Sequence, residues 1–298
     1  MRHRLVVVVA LLAGLCVSAW ARAACPPEGR TKENLLALKA LQFTVPDAAE
    51  RQALAEGLVD CLGDPDPAIR DGVAYEALAK WMRAKELDDA GLRALRDRLT
   101  ATLAEEDPDG FRRPFAALVL SEVARTDRVA PWMSPAERNA MVEAAAAYVE
   151  GIADYRGYDD REGWRHGVAH GADWLMQLAL NDALERKQLD RILAAVSSQV
   201  VPNATHAYVF GEPGRLARPV LFIAKRGVYT PAEWEAWLSA FAPRLGDKER
   251  AYMDSAWLAK RHDLLAFLTA LYLEADRSDD ANLQALGAPV VAGLKTVP

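Results

Sequence analysis

The 298 residues carry a net charge of −6 and no cluster of basic residues in the sequence. That balance excludes ready nucleic-acid binding and disfavours anionic membrane surfaces, because neutralising phosphates with Lys and Arg supplies most non-specific affinity. A chain this long also strains a single compact core, so an elongated repeat or two subdomains are the architectures it admits.

The N-terminus reads as a signal peptide over residues 1–23. Arg2, His3 and Arg4 form a positive start, an apolar run over 5–15 is too short to span a membrane comfortably, and Ala21-Arg22-Ala23 is a small-x-small cleavage site. Cleavage removes Arg2, Arg4 and Arg22 and takes the net charge from −6 to −9. No later segment reaches 18 apolar residues without a charge, so no stable membrane insertion is expected after cleavage and the mature chain should be periplasmic or secreted. Cys16 leaves with the signal. Cys25 and Cys61 remain, too few for a structural zinc site but an even pair in an oxidising compartment, which predicts a disulfide.

The mature segment, 24–298, reads as one helical unit. Helices are predicted near 31–43, 48–63, 67–85, 89–105, 110–126, 135–153, 161–180, 184–199, 214–225, 231–244, 247–275 and 279–295, with 247–275 as one helix or two. Four capping boxes mark starts: Asp47 with Glu50, Ser134 with Glu137, Asp182 with Glu185 and Thr230 with Glu233. Pro135 and Pro231 take the first helical position, where the missing N–H costs nothing. The stretch around 200–213 reads as an irregular link. Asp64-Pro65-Asp66-Pro67 and Asp107-Pro108-Asp109-Gly110 begin 43 residues apart, and Arg113-Pro114 and Arg218-Pro219 each precede an apolar helix. Helix-only content, even spacing and short loops favour an all-α fold: an α-solenoid or α/α superhelix of HEAT-like hairpins, with a closed α/α toroid second.

One helix stands apart. At about 100° per residue, His166, His170, Asp173 and Gln177 fall at roughly 0°, 40°, −20° and 20°, a narrow polar stripe. Trp164, Val168, Leu175, Leu178 and Ala179 point to the opposite, core-facing side. Gly167, Ala169, Gly171 and Ala172 are small enough to let another helix approach.

This segment resembles an uncharacterised bacterial family, number 2785 of the domain-of-unknown-function series. The matching residues are Arg156-Gly157-Tyr158, Gly163-Trp164, His166 and His170-Gly171-Ala172-Asp173, with Phe111-Arg112-Arg113 at an earlier helix start. The resemblance implies a family but no activity.

The chemistry stays open among three readings. His166, His170 and Asp173 could hold zinc or iron, as two His and a carboxylate, with further ligands from Asp159, Asp160, Glu162, Glu212, His206 or His262. Gly167 stands where a zincin has its glutamate, so that protease mechanism lacks its base. The same three residues could serve a metal-dependent or acid–base hydrolase, or form a buried structural network in which Asp173 fixes a ring tautomer. The remaining reading is a groove for a peptide, glycan or protein partner, using Arg156, Tyr158, Trp164, His166, His170, Asp173 and Gln177. Arg156 between two tyrosines suits an anionic or carbohydrate contact, while Asp159 or Asp160 could simply cap the His helix. No phosphate-cradling loop is found; Gly211-Glu212-Pro213-Gly214 reads as a turn because Pro213 lacks an N–H.

Overall fold

The computed structural model describes residues 25–298, so the expected signal peptide lies outside the described residues. α1 (Lys32–Ala40) and α2 (Ala48–Cys61) come first. α3 (Pro67–Ile69) continues through a π-helical turn, Arg70–Tyr75, into α4 (Glu76–Arg83). α5 (Asp89–Thr102), α6 (Arg112–Val129) and α7 (Pro135–Glu150) follow. A short antiparallel pair then intervenes, β1 (Tyr158–Asp159) with β2 (Gly163–Trp164), setting Tyr158 opposite Trp164. The chain ends with α8 (Gly167–Ala179), α9 (Arg186–Val200), α10 (Glu212–Lys225), α11 (Pro231–Ser239), two 3-10 turns, α12 (Ser255–Arg277) and α13 (Ala281–Thr296). The fold is all-α. No described helix is long and apolar enough to cross a membrane.

The neighbours of each helix follow a regular order. α6 packs on α8, α8 on α10, and α10 on α12, while α7 packs on α9 and α11 on α13. One continuous core extends from Leu35 to Val290 and takes in Trp174, Trp234 and Trp257. Gly171 lets α8 sit close to α7, because a Cβ there would lie 2.7 Å from Val149 Cγ2.

The caps explain most helix starts. Ser134 with Glu137 and Thr230 with Glu233 form reciprocal boxes, with Pro135 and Pro231 at the first helical position. Asp47 accepts from the Glu50 N–H at 2.7 Å. The Asp182–Glu185 box does not form: Asn181 Oδ1 takes the Ala183 N–H instead, and α9 starts three residues later, with Gln188 Oε1 accepting from the Glu185 N–H. The two Asp-Pro loops share local chemistry, since Asp66 caps α3 and Asp107 accepts from the Gly110, Phe111 and Arg113 N–H groups. Arg113-Pro114 lies in the first turn of α6, whereas Pro219 sits inside α10 and does not precede a helix.

Asp127 is the main buried knot. It accepts from the backbone N–H groups of Trp132 and Met133, from Arg138 at 2.7 Å and from Asn181 at 2.9 Å, so it joins the end of α6 to the starts of α7 and the α8–α9 loop. Cys25 and Cys61 are bridged across a sequence separation of 36.

Two outcomes follow. Removing the bridge by Cys61→Ala should lower the unfolding free energy by about 3–4 kcal/mol in the chain-entropy account, read by urea melts, and the denatured, unreduced mature protein should give no thiol labelling. Asp127→Ala should cost roughly 3–5 kcal/mol, because Arg138 and three N–H groups lose their acceptor in the interior; a loss under 1 kcal/mol would contradict the knot.

Candidate functional site: an aromatic and arginine groove beside α8

The predicted helix over 161–180 begins at Gly167, and that moves the site residues. His166 is the N-cap of α8 in the left-handed conformation, with φ 55° and ψ 39°. It stands there because the ladder of the small hairpin runs on: Gly157 O accepts from the Arg165 N–H and Arg156 O from the His166 N–H. An αL residue other than glycine is costly unless its surroundings over-determine it, and here the hairpin on one side and the helix on the other do so. Trp164 therefore belongs to β2 and not to a core-facing helix stripe. Asp159 does not cap α8 but closes the hairpin, accepting from the Arg161 and Glu162 N–H groups.

The polar stripe divides among three partners. His170 Nδ1 lies 3.2 Å from Pro114 O on α6, as donor, and its ring meets Phe115 edge-on. Asp173 is held by Arg215 of α10 through both carboxylate oxygens, with Nε 2.7 Å from Oδ1, and Arg218 Nη1 lies 3.8 Å away. Gln177 accepts from Arg128 Nε at 3.2 Å. His166 and His170 do meet, ring centroid to ring centroid at 5.8 Å, but Asp173 orients neither ring.

That arrangement weakens the metal set. Among the described residues no three His, Cys, Asp or Glu side chains converge to hold an ion. The free approach is between His166 Nε2, buried and without a hydrogen-bond partner, and Glu212 Oε1 at 3.8 Å. Burial, aided by the Arg215 charge, lowers the His166 imidazole to about 4; burial, then the neighbouring His166 and Arg215, lowers His170 to about 3. Both rings are neutral at physiological pH.

Around His166 the aromatic side chains gather. Trp164 stacks on it at 4.6 Å, Phe210 meets Trp164 edge-on at 5.8 Å, and Tyr158 lies 5.0 Å from Trp164. Tyr158 and Trp164 remain 47% and 36% exposed, which leaves faces for a ligand. Gly157 is required beneath them, because a Cβ there would fall 2.0 Å from Phe210 Cδ2. The result is a groove of about 520 Å³ lined by Tyr155, Arg156, Tyr158, Arg165, His206 and Phe210, together with the carboxylates of Asp159 and Glu162. Its arginines are paired: Arg156 Nε with Asp154 at 2.9 Å and Arg165 with Glu162 at 2.8 Å.

Buried arginines fix the groove to the earlier helices. Arg70, fully buried, donates to the carbonyls of Asp64 and Glu162. Arg165 donates to Asp109 O. Both guanidinium groups lie against the Phe111 ring, at 4.0 and 4.1 Å from its centroid. Arg70, Arg165, Phe210 and Arg215 were not among the sequence-derived site residues, and Glu212 was named only as a possible further metal ligand. The available signals were weak: the irregular 200–213 link holds Phe210 and Glu212, and Arg215 and Arg218 share a helix face.

The two histidines set an acid limit on stability. Each binds its proton more weakly in the fold than unfolded, so stability is complete above about pH 6.5 and falls as pH drops toward 4, on the order of 3 kcal/mol for His166 alone. Asp263, raised to about 6 by burial, opposes this between about pH 4 and 6 but only in part. Histidine NMR titration of the native protein should show flat His166 and His170 signals from pH 8 to 5. A midpoint above pH 6 for either would contradict the buried, neutral assignment.

No curated protein and no solved structure matches the chain. A family model does, over residues 99–273, from the end of α5 into α12, which takes in both the hairpin and the Asp173–Arg215 pair. The chain therefore belongs to the family described as Protein of unknown function (DUF2785).

Proposed function

We propose that this is an exported scaffold of stacked helical hairpins, an α/α superhelix, that binds a glycan in the groove beside the hairpin. The paired arginines carry this reading. Arg156 with Asp154 and Arg165 with Glu162 present polar but neutral pairs, which suit a hydroxyl-rich ligand better than an anion. The exposed Tyr158 ring, with Tyr155 and Phe210 in the same lining, supplies flat apolar surface for a sugar ring. The alternating neighbours α6, α8, α10 and α12 support the superhelix, and the Cys25–Cys61 bridge supports export to the periplasm or beyond.

The hydrolase built on His166, His170 and Asp173 has less support. Both Asp173 oxygens are taken by Arg215, so the carboxylate orients neither imidazole and the three side chains do not form one acid–base unit. A zinc or iron site would need the same Asp173 oxygens. A peptide or protein partner would have to leave the groove's carboxylate–guanidinium pairs intact, which leaves it little charge to read beyond Asp159.

Titration calorimetry with neutral tetrasaccharides built on glucose, galactose and N-acetylglucosamine tests the proposal. At least one should bind, and Tyr158→Ala should weaken it tenfold or more, about 1.4 kcal/mol, without moving the melting temperature. Failure of every saccharide, or an unchanged affinity in Tyr158→Ala, would overturn it.

A further inference from the structure

A second groove, of about 620 Å³, runs along the outer side of α10 between α8, α12 and α13. It lies apart from the groove beside the hairpin, and the two share no lining residue. Its lining is amphipathic. Arg215, Arg218, Lys225 and Arg277 face a single carboxylate, Glu274, and between the cations lie Leu221, Phe222 and Leu273. Three of the four cations, Arg215, Arg218 and Lys225, belong to α10 itself, and the packing of α10 on α12 adds Arg277.

The cations are not equivalent. Asp173 occupies Arg215 and stands 3.8 Å from Arg218. Lys225 and Arg277 form no ion pair among the described residues; Lys225 Nζ lies 5.8 Å from the Phe222 ring centroid. In a chain of net charge −6, that local excess of positive charge marks this strip as a site for an anion. The apolar strip demands more than an anion. Leu221 is nearly buried and forms the floor, while Leu273 is 41% exposed on the rim, so hydrocarbon laid here would cover surface that water now touches. α10 has 14 residues, which gives the strip a length of roughly 21 Å. That is long and narrow for a compact anion.

We infer that this groove binds a free fatty acid, with its hydrocarbon chain along Leu221, Phe222 and Leu273 and its carboxylate among Arg218, Lys225 and Arg277. The carboxylate accepts from guanidinium and ammonium donors, and the chain removes exposed apolar surface from water. Macromolecular partners fit less well, since the groove has the volume of a small-molecule site.

Calorimetry on the full mature protein, with every amphiphile below its micelle concentration, tests this. Dodecanoate should bind at one site per chain. Dodecanol and dodecyltrimethylammonium, with the same chain but a neutral or positive head, should bind at least tenfold more weakly, and octanoate at least tenfold more weakly than dodecanoate. The double variant Lys225→Gln/Arg277→Gln, both at exposed positions, should weaken dodecanoate at least tenfold and leave dodecanol and the melting temperature unchanged. Tyr158→Ala should leave dodecanoate binding unchanged, which separates this groove from the one beside the hairpin. Equal affinity for dodecanol and dodecanoate, or an unaffected double variant, would overturn the proposal. Dodecyl phosphate binding tenfold more tightly than dodecanoate would overturn the carboxylate head.

Discussion

The bidentate pair between Asp173 and Arg215 is the interaction on which both grooves depend. It joins α8 to α10 at the centre of the row of packed helices. On the hairpin side, α8 is capped by His166, against which Trp164 stacks. On the other side, α10 turns Arg218 and Lys225 outward above Leu221. A carboxylate with little exposure, facing a guanidinium that is itself partly covered, costs much to separate, because each would be left buried and unpaired. The pair thus fixes the relative position of two helices whose opposite faces line different surfaces.

Most of the helices were legible because their signals are local. Ser134, Glu137, Thr230 and Glu233 cap as read, since a capping box needs only three residues of spacing. The Cys25–Cys61 bridge followed from compartment and count. What was not legible depends on distant partners. His166 looked helical by spacing, yet hydrogen bonds from the hairpin hold its N–H and turn it left-handed. Asp173 looked like a partner for the histidines, but Arg215, 42 residues later, claims it. Periodicity places a residue on a face; it does not say which side chain arrives there from another helix.

The motif glycines and arginines gain physical reasons in the fold. Gly157 makes room for Phe210, and Gly171 for Val149. Phe111 is where Arg70 and Arg165 rest, so a residue at the start of α6 supports a hairpin about fifty positions on. Electrostatics divides the surface in the same way. Beside the hairpin both groove arginines, Arg156 and Arg165, have their carboxylates; along α10 the cations outnumber the acids. The two grooves therefore call for different chemistry.

The most direct test of this account is a double-mutant cycle on unfolding free energy. Asp173→Ala, Arg215→Ala and His170→Ala would be made singly, and Asp173→Ala combined with each of the others. Asp173 and Arg215 should couple by roughly 1–3 kcal/mol, while Asp173 and His170 should add within about 0.5 kcal/mol. Strong coupling between Asp173 and His170, with none between Asp173 and Arg215, would mean that the stripe acts as one histidine–carboxylate unit, and would contradict the division of the site described above.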